Sequence, residues 1–247
     1  MWDVWRLHGT EVSRHLNNTS RRFEGDHMNK LQVEIENEDS VPPSGTWGTC
    51  PWEIDGDGTL TVRPGTGEDT RGRSPWHPYS ESVKRVVFAD SEGVKVVAPS
   101  DCSNLLCGLH RLESIDLSGL DTSKVENMLD MFSGCISLRS LDLSGFDTSG
   151  VKDMSGTFSG CTSLVTLDLS GLDTSNVERM TYMFCLCFSI RSLDVSGFDT
   201  SKVEDVRGMF EDCSSLESID LSSFDLSKIE DTDCMFDGCP SLRVIKL

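Results

Sequence analysis

A 26-residue period runs through more than half of this chain and leaves little freedom in what it can fold into. Cys135, Cys161, Cys187, Cys213 and Cys239 recur at that interval, as do Leu117, Leu143, Leu169, Val195, Leu221 and Leu247. Five full units occupy 112–241, and a truncated sixth occupies 242–247. A unit this short cannot bury its own apolar face, so copies in register must stack into a solenoid with one continuous core.

Each unit has two halves. Leu138, Leu141 and Leu143 follow L-x-x-L-x-L and alternate with Ser140, Asp142 and Ser144, which predicts a strand with one face inward. In the second half, Val125, Met128, Met131, Phe132 and Cys135 fall at helical steps. Ser123, Ser175, Ser201 and Ser227 each precede a glutamate by three residues (Glu126, Glu178, Glu204 and Glu230), the pattern of a capping box. Lys152 replaces that glutamate in the second unit and predicts a weaker cap there, and Asp147 and its equivalents would favour the helix N-terminus. The expected fold is therefore α/β: a right-handed strand–turn–helix solenoid with its parallel sheet on the concave face.

Upstream, Val83, Val86 and Phe88 repeat the strand spacing 29 residues before Leu112, Ile115 and Leu117, so 83–111 reads as an irregular first repeat of the 83–247 solenoid. Its three extra residues are expected around Asp90–Gly93. Residues 52–62 read as a β-hairpin turning at Asp-Gly, and Trp47, Trp52 and Trp76 cluster nearby. Residues 46–82 are expected to cap the first core layer. Residues 1–45, polar and aperiodic, are expected to be a flexible leader. Asp3, Arg6 and Glu11 interrupt any apolar run that a secretion signal would need.

The unit at 137–161, Ser-Leu-Arg-Ser-Leu-Asp-Leu-Ser-Gly-Phe-Asp-Thr-Ser-Gly-Val-Lys-Asp-Met-Ser-Gly-Thr-Phe-Ser-Gly-Cys, resembles the repeat of BspA-like leucine-rich repeat surface proteins of bacteria. Gly45-Thr-Trp-Gly-Thr-Cys-Pro-Trp-Glu-Ile, Gly58-Thr-Leu-Thr-Val, Ser74-Pro-Trp76 and Lys84-Arg-Val-Val-Phe88 are similar to the N-terminal region of the same proteins. The resemblance covers about 45–247. It implies export to the cell surface and adhesion to host or other surfaces, through a protein or host-matrix ligand.

The residues offer little catalytic chemistry. No nucleophile elbow, zincin motif or phosphate loop occurs. Asp55-Gly-Asp57-Gly58 lacks the glutamate and flanking helices of a calcium loop and is better read as a turn. Asn17 and Asn18 both head N-x-[ST] sequons. The 26-residue cysteines end the apolar stripe and are expected to be buried and reduced. No catalytic residue, cofactor or metal site is expected. The net charge of −19 argues against nucleic acid, and no apolar run is long enough to insert in a membrane.

The strand face is the candidate site. Asp116, Asp142, Asp168, Asp194 and Asp220 would form one column, flanked by Ser140, Thr166 and Ser192. Residues 112–247 hold 24 acidic and 10 basic residues, a net −14. Three readings stand: a soluble face, a docking stripe for a basic or polar partner, and a site for divalent cations. Stacked carboxylates repel, so some of these aspartates are expected to titrate above the ordinary range.

Overall fold

The computed structural model describes residues 42–247. The expected leader and the sequons fall almost wholly on 1–41, outside the described residues. β1 (Ser44–Trp47), β2 (Cys50–Ile54) and β3 (Thr59–Val62) form two successive antiparallel hairpins. The second turns where the Asp-Gly pattern places it. Asp55 Oδ1 accepts the N–H groups of Asp57 (3.0 Å) and Thr59 (2.7 Å), which closes the turn.

From β3 onward every strand pairing is parallel. β3 pairs with β5 (Arg85–Phe88), and β5 with β7 (Ser114–Asp116). The same face continues as β9 (Ser140–Leu141) with β10 (Thr166–Leu167), and as β11 (Ser218–Asp220) with β12 (Val244–Lys246). Ser192 joins this ladder through a bridge to Ser218. A second ladder consists of β4 (Gly65–Thr66), β6 (Val96–Val97) and β8 (Leu120–Asp121). In the later coils threonine hydroxyls take over its role. Thr148 Oγ1, on a residue 1% exposed, accepts the Asp173 N–H (2.8 Å) and donates to the Asp173 carbonyl (2.9 Å). Thr122, Thr174 and Thr200 do the same for Asp147, Asp199 and Asp225.

The expected helices do not form, so the α/β strand–turn–helix assignment is corrected to a β-solenoid of parallel strands and turns. Among the described residues the only helical element is a single 3₁₀ turn, His77–Tyr79. The reason is local. Every coil places two residues, four apart, in the left-handed region: Asp130 and Gly134, Gly156 and Gly160, Tyr182 and Leu186, Gly208 and Asp212, Cys234 and Gly238. An α-helix requires right-handed backbone throughout. The backbone hydrogen bonds alternate instead. Met131, Ser133 and Cys135 donate to carbonyls three residues back in their own coil. Met128, Asp130, Phe132 and Gly134 donate to Asp153, Ser155, Thr157 and Ser159 of the next coil at 2.7–3.0 Å.

The helical spacing nonetheless picked the inward residues correctly. Val125, Met128, Met131, Phe132 and Cys135 are all buried. Their rings stack down the core: Phe132, Phe158, Phe184, Phe210 and Phe236 lie 5.4–5.8 Å apart and within 12° of parallel.

The capping boxes disappear with the helices. Ser123, Ser149, Ser175, Ser201 and Ser227 cap nothing; each donates its backbone N–H to the aspartate two residues earlier. Lys152, expected to weaken a cap, reaches back one coil to Glu126 at 2.7 Å. Strands are shorter than expected for a similar reason. Ser144 gives its N–H to Asp142 (2.9 Å), so the ladder cannot run on past the aspartate.

Val83, Val86 and Phe88 are buried. Val86 pairs with Ile115 at an offset of 29, whereas Asp101 bridges Asn127 at 26. The three extra residues therefore lie between Val86 and Asp101, where Ser91 and Val94 close a small turn. Ahead of it, Trp76 is fully buried, with Trp47 and Trp52 edge-on to it at 5.6 and 6.2 Å. The indole N–H of Trp76 donates to the Leu105 carbonyl (3.0 Å) and the Thr70 hydroxyl donates to the Ser103 carbonyl. These donors satisfy the outward carbonyls of the first turn-side layer.

Candidate interaction face

The strand face carries the acidic column. Asp116, Asp142, Asp168, Asp194 and Asp220 are exposed, as are Ser140, Thr166 and Ser192 beside them. Parallel pairing fixes the register: Ser140 lies opposite Thr166, and Ser192 opposite Ser218. Shallow grooves run along the column, one of them lined by Ser140, Asp142, Thr166 and Asp168.

Each aspartate makes the same local bond. Its Oδ1 accepts the N–H of the serine two residues on, at 2.9–3.0 Å. Ser118, Ser196 and Ser222 add hydroxyl bonds of 2.6–2.7 Å to Asp116, Asp194 and Asp220. These donors favour the ionised form. The serine hydroxyl and N–H hold Asp116, Asp168 and Asp194 below the usual carboxylate range; for Asp142 the Ser144 N–H leads. Asp168 still feels Asp142, but weakly. The expectation of raised values is therefore wrong: the serine donors at each carboxylate outweigh repulsion between solvated neighbours.

At the last described coil Lys246 takes the column position and reaches Asp220 Oδ2 at 2.8 Å, which lowers the Asp220 pKa furthest. Asp116, Asp142, Asp168 and Asp194 have no ion-pair partner among the described residues.

Sequence reasoning missed a second column. Asp121, Asp147, Asp173, Asp199 and Asp225, assigned to helix starts, make the same Asp-x-Ser bond, and their carboxyls are lowered by the same backbone N–H and hydroxyl donors. The signal was present, because Asp-x-Ser occurs twice per repeat.

The ten cysteines are all free. The five at the 26-residue interval sit in the core stripe, four of them buried and Cys239 half-buried. Each donates its thiol to the carbonyl 29 residues earlier: Cys135 to Leu106, then Cys161, Cys187, Cys213 and Cys239 to Phe132, Phe158, Phe184 and Phe210, at 3.0–3.3 Å. Among the described residues no group of three or more His, Cys, Asp or Glu side chains is placed to hold a metal ion.

Parallel strands that return through short turns around a stacked apolar core define a repeat solenoid. The chain belongs to the family described as "Mycoplasma protein of unknown function, DUF285", whose profile matches residues 100–193 and 165–244 and so covers more than half of it. No curated protein sequence matches. Similar solved structures include a leucine-rich repeat protein of T. pallidum (19% identity, 79% of this chain and 78% of that one, TM-score 0.43). A leucine-rich cell surface protein of Faecalibacterium prausnitzii is also similar (16%, 84% and 77%, TM-score 0.33). So is a leucine-rich repeat protein of Eubacterium ventriosum (15%, 83% and 85%, TM-score 0.29).

Proposed function

We propose that this chain is a non-enzymatic interaction module that docks a basic protein or host-matrix segment along the strand-face column, acting at a cell surface. The observation that carries the reading is the column itself: Asp116, Asp142, Asp168 and Asp194, exposed, in register and each hydrogen-bonded to the serine two residues on. A cation array of matching spacing would meet several of them at once. Ser140, Thr166 and Ser192 add hydroxyls on the same face. The resemblance to BspA-like surface proteins implies the location and the adhesive role. Among the described residues no helix is long and apolar enough to cross a membrane.

A second reading is a spacer with no ligand of its own, favoured by the monotony of the strand face, where each coil presents the same Asp-x-Ser. The test compares wild type with Asp142→Asn/Asp168→Asn/Asp194→Asn on immobilised matrix proteins and on a lysine-rich peptide. Docking predicts binding that falls with added salt, because exposed charges are screened beyond about 8–10 Å. It also predicts a loss of at least tenfold in the variant. Equal binding by both proteins at both salt levels would leave the spacer.

A further inference from the structure

The turn side of the solenoid is built from small or polar residues in nearly every coil. Its first left-handed position holds Asn104, Asp130, Gly156, Gly208 or Cys234. Its second holds Gly108, Gly134, Gly160, Asp212 or Gly238. One coil breaks the pattern at both places, with Tyr182 at φ 55° and Leu186 at φ 60°. Two residues on, Phe188 replaces the Ile136, Thr162, Ser214 or Pro240 of other coils.

Left-handed backbone is unfavourable for bulky side chains, which lack the local hydrogen bonds of asparagine or aspartate. Burial does not offset that strain here, since Tyr182, Leu186 and Phe188 are 38%, 37% and 41% exposed. Neither the backbone nor the core explains them. Unexplained strain at an exposed position points to a functional role.

Tyr182 packs on Gly208 of the next coil, as Asp130 does on Gly156. A side chain at Gly208 would begin 2.2 Å from the tyrosine ring. The Arg207 guanidinium lies 5.8 Å from the ring centroid and is already engaged by Asp205 and Asp231 at 3.6 and 3.5 Å. Glu211 brings a carboxylate oxygen within 2.9 Å of that same Gly208 position, and its carbonyl accepts the Leu186 N–H at 2.8 Å. Glu211 and Asp212 have no ion-pair partner among the described residues.

We infer that Tyr182, Leu186 and Phe188 form an anchor point for a protein segment that presents an apolar side chain flanked by lysine or arginine. The apolar trio takes the anchor, and Glu211 and Asp212 take the basic flank. A second copy fits poorly, because each chain carries a net −19 and would bring acidic rim to acidic rim. The site lies on the turn side and is independent of the strand-face column.

The test pans a phage-displayed random peptide library on the full chain and measures the affinity of the enriched peptides in solution. The variant is Tyr182→Asn/Leu186→Gly/Phe188→Thr, which installs the residues found at these places in other coils. The expected result is enrichment of peptides pairing an aromatic or aliphatic residue with a basic one. The variant should bind them at least tenfold more weakly and unfold at the same temperature or higher, because strain is relieved. Asp142→Asn/Asp168→Asn/Asp194→Asn should bind them normally. A lowered unfolding temperature in the turn-side variant would make the trio structural. Equal binding by the variant, or a failure to enrich peptides, would overturn the site. Peptides without basic residues would overturn the partner chemistry. Wild-type self-association that the variant abolishes would assign the patch to a second copy.

Discussion

A thiol can serve as a small apolar filler and a weak donor in the same place, and the cysteine column uses both properties. Each Sγ–H ties one coil to a carbonyl of the coil before it, so oxidation would break a link as well as a packing contact. Full denaturation without reductant should release ten free thiols per chain. In the native protein Cys234, the single exposed cysteine, should be the first to react with a thiol reagent, at a rate slowed by Asp237, which raises its pKa. Burial pushes Cys102, Cys161 and Cys213 up to about 12, so these groups stay protonated in the fold where an unfolded chain would ionise. Their contribution to stability is complete below about pH 9 and is lost as pH rises toward 12. The urea midpoint should therefore hold at neutral pH and fall above pH 9 or so. The aspartates work in the opposite sense. Their carboxyls are lowered by serine donors, so the stabilisation is present above about pH 4 and is lost as pH falls through the folded values. Carboxyl NMR titration should place Asp142, Asp168 and Asp194 below the ordinary aspartate value; values above it would mean that repulsion wins.

At the level of the element, the buried threonine is what joins the later coils where a strand pair would otherwise stand. Thr148→Val keeps the shape but leaves the Asp173 N–H and carbonyl without their partner. It should cost about 1–3 kcal/mol in urea titrations, the penalty of orphaned buried polar groups. The same change at Thr162, an exposed hydroxyl bonded to the Ile136 carbonyl at 3.3 Å, should cost far less. These elements also show how far the sequence could be read. The strand face was legible, because alternation of Leu141 and Leu143 with Ser140 and Asp142 has only one sheet-like solution. The buried set of the turn side was legible too, since any coil that returns over the core must direct Val125, Met128 and Phe132 inward. The backbone path was not. Apolar spacing reports which side chains are inside, and both a helix and a chain of alternating turns satisfy it. The deciding evidence was the glycine or asparagine recurring at 104, 108, 134, 156, 160 and 208, which marks left-handed backbone rather than helix. Ser123 and its equivalents were likewise read as caps paired with the glutamate three residues on, when the Asp-x-Ser spacing before them suits an Asx turn better. The acidic column was found from the sequence, but the sign of its titration depends on serine N–H geometry that spacing alone does not supply.

For the molecule as a whole, stability is carried by coil-to-coil interfaces. Phe184, fully buried with a stacked ring on each side, should lose about 3–5 kcal/mol on truncation to alanine. Phe236, half-buried and stacked on one side only, should lose clearly less; equal losses would argue against one-dimensional coupling. The far-UV circular dichroism of the described solenoid should lack the double minimum of α-helix. The turn-side hydrogen bonds have a further consequence. They form four files of peptide groups, each passing from coil to coil with every N–H directed toward the C-terminal side. One file, from Glu126 through Lys152, Glu178 and Glu204 to Glu230, runs the other way. Each peptide carries a dipole of about 3.5 D, so the aligned files add as they do along a helix. On the turn side, a cut between two coils therefore exposes four donors of these files on one face and four acceptors on the other. Trp76 and Thr70 close the acceptor side by donating to it. Transplanted behind the last coil, that same tryptophan lid would set donors against donors, so a shortened or lengthened version of this protein needs a different kind of closure at each pole.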